Sequence, residues 1–388
     1  MSIGLLVFLA CVSFVAYVLA GYPIALACFA RLRPKPIAKQ LIPRPLSIII
    51  PVRNGARWIQ PKIRSLLDSD YPADLINILV VSDGSTDATN PLVEQFGDSR
   101  VRLLALPAGG KAIAVNRGLE VATGEIVVLT DVRQSFDPSA LGRLVACFAE
   151  PGVGVVTGEL VIREGSSREE FNTGLYWKYE KWIRRNLNRI DAMLGATGAI
   201  YAIRRELADP LPPDTLLDDV HLPFLIASKG FRIYFEDAAK AYDFPTSLKS
   251  EFGRKVRTQA GIYQILFRFP TLLWPGNKRF IHFASHKLGR LLLPFAMIAA
   301  AIGTVYLPQP LLSVAATGQC LFYGMVLVDP WIPESTQLKR FTAVARAFTV
   351  LIAAALCAVK IFFSPAQNLW KETHSPVAAS RSADDAIR

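Results

Sequence analysis

The sequence predicts an α/β domain on a doubly wound, mostly parallel sheet, covered by helices on both faces and flanked by transmembrane α-helices. Three observations predict it. Continuously apolar, β-branched runs alternate with helical patterns through the middle of the chain. On either side of that middle lie long stretches almost free of charge. The composition agrees: of 388 residues 52% are hydrophobic and 19% charged, with 43 Lys+Arg against 32 Asp+Glu and a net charge of +11. Soluble domains carry about a quarter charged residues, and disorder needs the opposite composition. The basic excess alone fits nucleic acid or a membrane protein with basic cytoplasmic flanks, so its position along the chain decides.

Met1 to Ala30 contains no charged residue, and a bilayer core needs roughly 20 apolar residues. The basic, proline-broken stretch Arg31, Arg33, Lys35, Lys39, Arg44 follows it. A signal peptide carries its charge before the apolar run. The run at 1–30 is therefore expected to be a membrane helix with its basic flank on the cytoplasmic side.

Residues 31–285 read as one cytosolic domain. Leu46–Val52, Ile76–Ser82, Val101–Leu106 and Glu125–Thr130 are expected strands. Helices are expected at Ile59–Leu67, Thr86–Phe96, Lys111–Val121, Ser139–Ala149 and Val220–Lys229, with Ser85 or Thr86 capping the second. In open α/β sheets ligands bind beyond the carboxyl ends of the strands. Asp83 and Asp131 both fall there. Two acids on one rim suit a nucleotide, one accepting from base or ribose and the other holding a divalent cation on phosphates. Each also reads as a turn or capping residue. Lys111 follows Gly109 and Gly110 at a helix start, an arrangement that suits a phosphate, or else a solvated lysine. Arg254 and Arg257, three apart, share a helix face.

The aromatic segment near 261–275 is expected to lie as an interfacial helix on the membrane, or else as a core helix under the sheet. From 286 to 365 the apolar runs Leu288–Leu307, Leu311–Val328 and Phe341–Phe363 give two or three membrane spans. The polar tail occupies 366–388. Five scattered cysteines, without a C-x-x-C pair, give neither a zinc site nor a disulfide framework.

Ordered segments now carry a resemblance. Ile49-Ile50-Pro51-Val52-Arg53-Asn54, Val81-Ser82-Asp83-Gly84-Ser85-Thr86-Asp87, Gly110-Lys111-Ala112 with Asn116, and Leu129-Thr130-Asp131 resemble the nucleotide-sugar half of family 2 glycosyltransferases. Gly195-Ala196-Thr197-Gly198-Ala199 resembles the acceptor segment of that family, Leu217-Asp218-Asp219 its acidic pair, and Arg254-Lys255-Val256-Arg257 its last motif. The likeness covers Leu46 to Gln264 and extends to membrane-embedded, cellulose- and hyaluronan-synthase-like members. It implies a GT-A fold and inverting transfer from a nucleotide-sugar donor to a glycan or lipid-linked acceptor.

Residue by residue, the resemblance implies that Asp219 is the base and that Pro51, Asp83, Lys111, Asp131, Arg254 and Arg257 hold the donor. It implies that Gly195, Thr197 and Gly198 face the acceptor and that Asp131 binds Mg²⁺ or Mn²⁺. The usual second acid of Asp-x-Asp is Arg133 here, so either one carboxylate suffices for the metal or Arg133 supplies charge in its place. Arg133 also admits a catalytically silent nucleotide- or glycan-binding scaffold. Thr258 stands where polymerising members have Trp, which puts processive synthesis in doubt. Leu369-Trp370-Lys371-Glu372-Thr373 loosely resembles a segment following the last helix of such enzymes. Lys249 and Lys255 are expected near lipid headgroups. No nucleic-acid partner is expected, because the basic residues flank spans and do not line a groove of stacking aromatics.

Overall fold

The computed structural model describes residues 3–162, 168–244, 248–333 and 335–365, and the side chains of these except 168–177 and 248–251. The polar tail with Trp370, and the side chain of Lys249, lie outside the described residues.

Among the described residues eight strands form one sheet: β1 Leu46–Val52, β2 Ile76–Asp83, β3 Val101–Leu106, β4 Ile126–Leu129, β5 Ser135–Phe136, β6 Val153–Ile162, β7 Tyr201–Arg204 and β8 Arg232–Asp243. Their order is β3-β2-β1-β4-β7-β6-β8-β5. The first four are mutually parallel, and Ile49 stands opposite both Leu79 and Leu129. Strand β7 is antiparallel to β4 and β6, β5 is antiparallel to β8, and β6 runs parallel to β8. The sheet is thus mixed, its parallel half where the sequence places it and its other half curled by reversed strands.

Strand period decides which core each residue enters. Ile49, Leu79, Val81, Val127 and Leu129 point into one layer, with Val115, Leu222 and Phe224 from the covering helices. Ile48, Ile50, Ile78, Val80, Ile126 and Val128 point into the other, against Ile63, Leu66 and Leu144. Both faces are covered, which is why these strands read as unbroken apolar runs.

The loop after β2 departs from expectation. Its helix is only Thr89–Glu94, and neither Ser85 nor Thr86 caps it. Asn54, in the left-handed region at φ 53°, closes the turn after β1. Its side-chain oxygen accepts from the N–H of Thr86 at 2.8 Å, and its own N–H donates to Oγ of Ser85 at 3.1 Å. Asp87 takes the capping role, accepting from the N–H of Thr89 at 3.0 Å. Two strand ends are thereby tied into one rim.

Among the described residues four helices are long and apolar enough to cross a membrane: Ile3–Leu32, Phe280–Thr304, Leu311–Trp331 and Leu338–Phe362. The first two lie antiparallel, since a Cβ on Gly303 would come within 3.3 Å of Phe8 and one on Gly289 within 3.0 Å of Val18. Phe283 begins the second inside the α/β core, edge-on to Phe224. The last returns to the same domain, where Phe362 meets Tyr263 and Phe267 at 5.1 and 6.0 Å. Those two rings belong to the helix Leu248–Arg268, followed by a short turn at Pro270–Leu273. Ala260, Ile262 and Ile265 of that helix are buried in the α/β core. The segment expected at 261–275 is therefore the end of a longer helix, with one face in the core and another against the last apolar helix.

Candidate active site

The rim formed by the carboxyl ends of β1, β2 and β4 gathers the acidic residues. Asp83 ends β2, and Gly84 turns the chain at φ 63°, where a Cβ would lie 2.7 Å from the backbone of Ala108. This glycine is required both for its dihedral and for the close passage of the two loops. The buried Asp83 carboxylate accepts from the N–H of Gly109 at 2.6 Å and of Gly110 at 3.0 Å. The two amides that a phosphate at this helix start would use are thus engaged by Asp83, which fixes the turn that begins the helix Lys111–Val121.

Lys111 is not a solvated lysine. Its ammonium lies 2.8 Å from Oδ1 of Asp131 and 2.9 Å from Oδ1 of Asp218. Burial alone would lower its pKa, but Asp131, Asp218 and Asp219 together hold it above the ordinary lysine value. Beneath this cluster sits Lys62, which the sequence reading did not single out. It is fully buried, donates to Oγ1 of Thr130 and to the carbonyl of Gln134, both at 2.7 Å, and lies over the Phe136 ring at 3.8 Å. Burial pushes its amine well below the usual range. The helix Ala56–Leu67 buries Ile59, Lys62, Ile63 and Leu66 on one face, and that spacing was the available signal.

Asp219 is the second residue of the helix Asp218–Ser228. The segment from Gly195 to Gly198 wraps it: the N–H of Ala196 donates to its carbonyl at 2.7 Å and the N–H of Gly198 to its Oδ2 at 2.8 Å. Gly198 returns its own carbonyl to the N–H of Asp131 at 3.0 Å. Thr197 is held through its N–H by Oγ1 of Thr157 at 3.1 Å. Gly195, at φ 122°, passes Val220. Burial, and then the adjacent Asp218 carboxylate, raise Asp219 to a pKa of about 6 against the pull of Lys111.

Arg257 completes the ring of charge. Its burial lowers its pKa, while Asp131, Asp219 and Asp218 act to raise it and Arg254 opposes them. The hydroxyl of Thr258 donates back to the Arg254 carbonyl at 2.9 Å. Pro51 stays in β1, paired with Val81, one strand away from these groups.

Arg133 faces elsewhere. Its Nε donates to Oδ1 of Asp243 at 3.0 Å and its Nη2 to Oδ2, and Gln134 Nε2 adds a third donor at 2.8 Å. A guanidinium fixed bidentately on a buried carboxylate does not supply charge in place of a metal. That alternative is corrected: Arg133 ties the segment after β4 to the end of β8.

Whether a divalent cation fits rests on Asp131. Among the described residues no group of three His, Cys, Asp or Glu side chains comes together to hold one. Asp131 does present an oxygen to open space, however. A Cβ added to Gly198 would stand 3.1 Å from its Oδ2, 3.5 Å from Oδ2 of Asp219 and 3.6 Å from Nζ of Lys111. A missing side chain thus leaves a small cradle over one carboxylate oxygen. Mg²⁺-type sites need only one or two carboxylates when phosphates and water complete them, so the residues present fit.

Comparison with known proteins agrees with this architecture. The profile described as glycosyl transferase family 2 matches residues 47–211. The poly-beta-1,6-N-acetyl-D-glucosamine synthase of Staphylococcus epidermidis is 24% identical over 263 residues, 66% of this chain and 61% of its own. An N-acetylglucosaminyltransferase of Rhizobium meliloti is 26% identical over 317 residues, 74% of each chain. This chain therefore spans about three fifths of the first of these relatives. Among solved structures, a mannosyltransferase from Pyrobaculum calidifontis in complex with GDP-Man and Mn²⁺ superposes with a TM-score of 0.71. It is 23% identical, and the match covers 92% of this chain and 99% of that one, a likeness of fold.

Proposed function

We propose that this chain, which belongs to glycosyltransferase family 2, is a membrane-bound inverting transferase that works in polysaccharide or glycolipid synthesis. It takes a sugar from a nucleotide-sugar donor at the cytosolic side and passes it to a glycan or lipid-linked acceptor. The observation that carries this reading is the placement of Asp219, half-buried and fixed by the Gly198 N–H at one end of a cluster that also holds Lys111, Asp131 and Arg257.

Inversion requires the acceptor oxygen to attack the anomeric carbon opposite the leaving diphosphate. Asp219 accepts the hydroxyl proton as the new C–O bond forms. The bond from the anomeric carbon to the phosphate oxygen breaks, and its electron pair leaves on the diphosphate. Arg254, Arg257 and Lys111 face that growing negative charge. Asp131 is the residue that would hold Mg²⁺ or Mn²⁺, which would supply positive charge beside the leaving diphosphate. Asp83, in this reading, shapes the nucleotide pocket by fixing the Gly109–Gly110 turn, and Gly195, Thr197 and Gly198 border the acceptor.

The test is turnover of a panel of UDP- and GDP-sugars by the full chain in membranes, with and without Mn²⁺. Because two relatives carry N-acetylglucosamine in their names, nucleotide donors of that sugar come first in the panel, and GDP-mannose is added from the name of the structural neighbour. One donor should be consumed, and Asp219→Asn should bind it while losing transfer by a factor of about 10²–10⁴, the usual worth of a positioned base. A wild-type chain that binds donors but consumes none is a silent scaffold. Full activity in Asp219→Asn removes that residue as the base.

A further inference from the structure

Lys62 takes no part in the transfer steps, yet it is 1% exposed, on a helix face it shares with Ile59, Ile63 and Leu66. Helical spacing makes that an apolar position, and lysine is almost never fully buried unless its head group is engaged. Its amine finds three partners: Oγ1 of Thr130 and the carbonyl of Gln134, each at 2.7 Å, and the Phe136 ring at 3.8 Å. The ring is held in turn by Ser65, whose hydroxyl accepts from the N–H of Phe136 at 3.2 Å and donates to the Lys62 carbonyl at 2.8 Å. Thr130 and Gln134 flank the turn that carries Asp131. One amine thus clamps that turn at both ends.

The Thr130 hydroxyl passes the clamp on. Its own proton goes to the carbonyl of Ala199 at 2.7 Å, since a carbonyl only accepts, and its oxygen is left to accept from Lys62. Beside it the N–H of Asp131 donates to the carbonyl of Gly198 at 3.0 Å. These two bonds continue the pairing of β4 with β7 past Leu129 and Tyr201, where the ladder ends. The N–H of Gly198 then holds Oδ2 of Asp219 at 2.8 Å. An unbroken path of hydrogen bonds and peptide units therefore joins Nζ of Lys62 to the Asp219 carboxylate, and Lys62, Thr130 and Ala199 on it are all buried.

We propose that Lys62 is a positioning residue of the transfer reaction. Through Thr130 it sets the loop at 198–199, which holds Asp131 on one side and Asp219 on the other, and so fixes the spacing between the donor-side carboxylate and the base. The inference rests on the reading of Asp219 as the base. No hydrogen bond or ion pair joins Lys62 to either carboxylate among the described residues, so its effect on the chemistry passes through Thr130 and that loop. Buried, fully satisfied networks of this kind are rigid. A misplacement of about 1 Å at reacting groups costs on the order of 10² in rate.

The coupling is read without turnover, by hydrogen–deuterium exchange of the full chain in neutral maltoside micelles. Lys62→Met keeps the stem and removes the head group, and Thr130→Val keeps the shape and removes the link. Each should speed exchange of the peptide covering 195–199 at least tenfold. The peptide covering 46–50 in β1 should keep its wild-type rate, which verifies the fold. In membranes each variant should lower kcat at least tenfold with donor KM within about threefold, because Arg254, Arg257 and the Asp83 turn are untouched. The double variant should lose no more than the larger single loss, as two residues on one path do. Faster exchange throughout the sheet, or losses of kcat that multiply in the double variant, overturn the positioning role. So does wild-type exchange at 195–199 in Lys62→Met. Transfer at the wild-type rate in Lys62→Met counts against this role alone. Full activity in Asp219→Asn, with the exchange response intact, removes the base and leaves the coupling of the two loops standing.

Discussion

The backbone N–H of Gly198 donates to Oδ2 of Asp219 over 2.8 Å, so the loop proposed to border the acceptor also aims the carboxylate proposed as base. Position and ionisation of that carboxylate are therefore coupled. A base works ionised, and Asp219 titrates near pH 6 because burial, then Asp218, raise it. The acid limb of kcat/KM should fall as pH drops through about 6. Asp218→Asn, which removes the neighbouring charge, should move that limb to lower pH. The folded chain should be stabilised over the same interval, since a carboxyl whose pKa is raised from 3.8 gains proton affinity on folding. A limb unmoved by Asp218→Asn assigns it to another group.

Gly198→Ala tests the cradle. The added Cβ would meet Oδ2 of Asp131 at 3.1 Å while the fold loses little, since where the backbone suits alanine such a change by itself stabilises by up to about 1 kcal/mol. The Mn²⁺ concentration for half-maximal turnover should rise at least tenfold with unfolding temperature nearly unchanged. An unaltered metal requirement removes Oδ2 of Asp131 from that role.

Arg133→Met separates stability from chemistry. It strands Asp243, a carboxylate 2% exposed, and the expected loss is on the order of 3 kcal/mol. Asp243→Asn in the same chain should recover part of it, the signature of a pairwise term. Denaturant unfolding reports the loss, and donor affinity at low temperature should stay at the wild-type value. A drop in donor affinity would return Arg133 to the site.

His221 sets a separate acid limit. It is buried, its Nδ1 has no hydrogen-bond partner among the described residues, and it meets the Phe269 ring edge at 5.0 Å. Burial, and then Arg268, hold its pKa down to about 4. The unfolded chain therefore takes up the proton first, and stability present above pH 6.5 erodes as pH falls toward 4. The full effect is on the order of 3 kcal/mol at 1.36 kcal/mol per unit. His221→Phe should flatten this slope in unfolding scans between those limits, and it leaves the opposite slope of Asp219 in place.

The parallel half of the sheet was legible because a strand buried on both faces spells itself as an apolar run. Leu46–Val52 and Val101–Leu106 begin and end where that pattern does. The reversed strand β7 and the strand β8 were missed because their partners lie far along the chain: Ala202 pairs with Val128 and Val156, Tyr242 with Ser135 and Val161. The acidic residues could be named one by one, but not the ammonium that joins Asp131 to Asp218, which depends on folding. Arg133 looked like a substitute for a metal only until Asp243, 110 residues on, supplied its partner.

The two aromatic contacts on the α/β domain, Phe283 at the start of one apolar helix and Phe362 at the end of another, set a parity. A path that leaves one side of a membrane and returns to it crosses an even number of times. Among the described residues three candidate helices lie between those two rings, so a membrane that leaves both rings on one side is crossed by an even number of them. We expect Leu311–Val328 to be the one that turns back, since its middle residue Gln319 bonds Thr304 at the tip of its predecessor. Single cysteines labelled by a membrane-impermeant maleimide should place Ser364 on the same side as the exposed Asp68 of the α/β domain, and both ends of Leu311–Val328 together on the opposite one. Labelling of those two ends from different sides would break the parity.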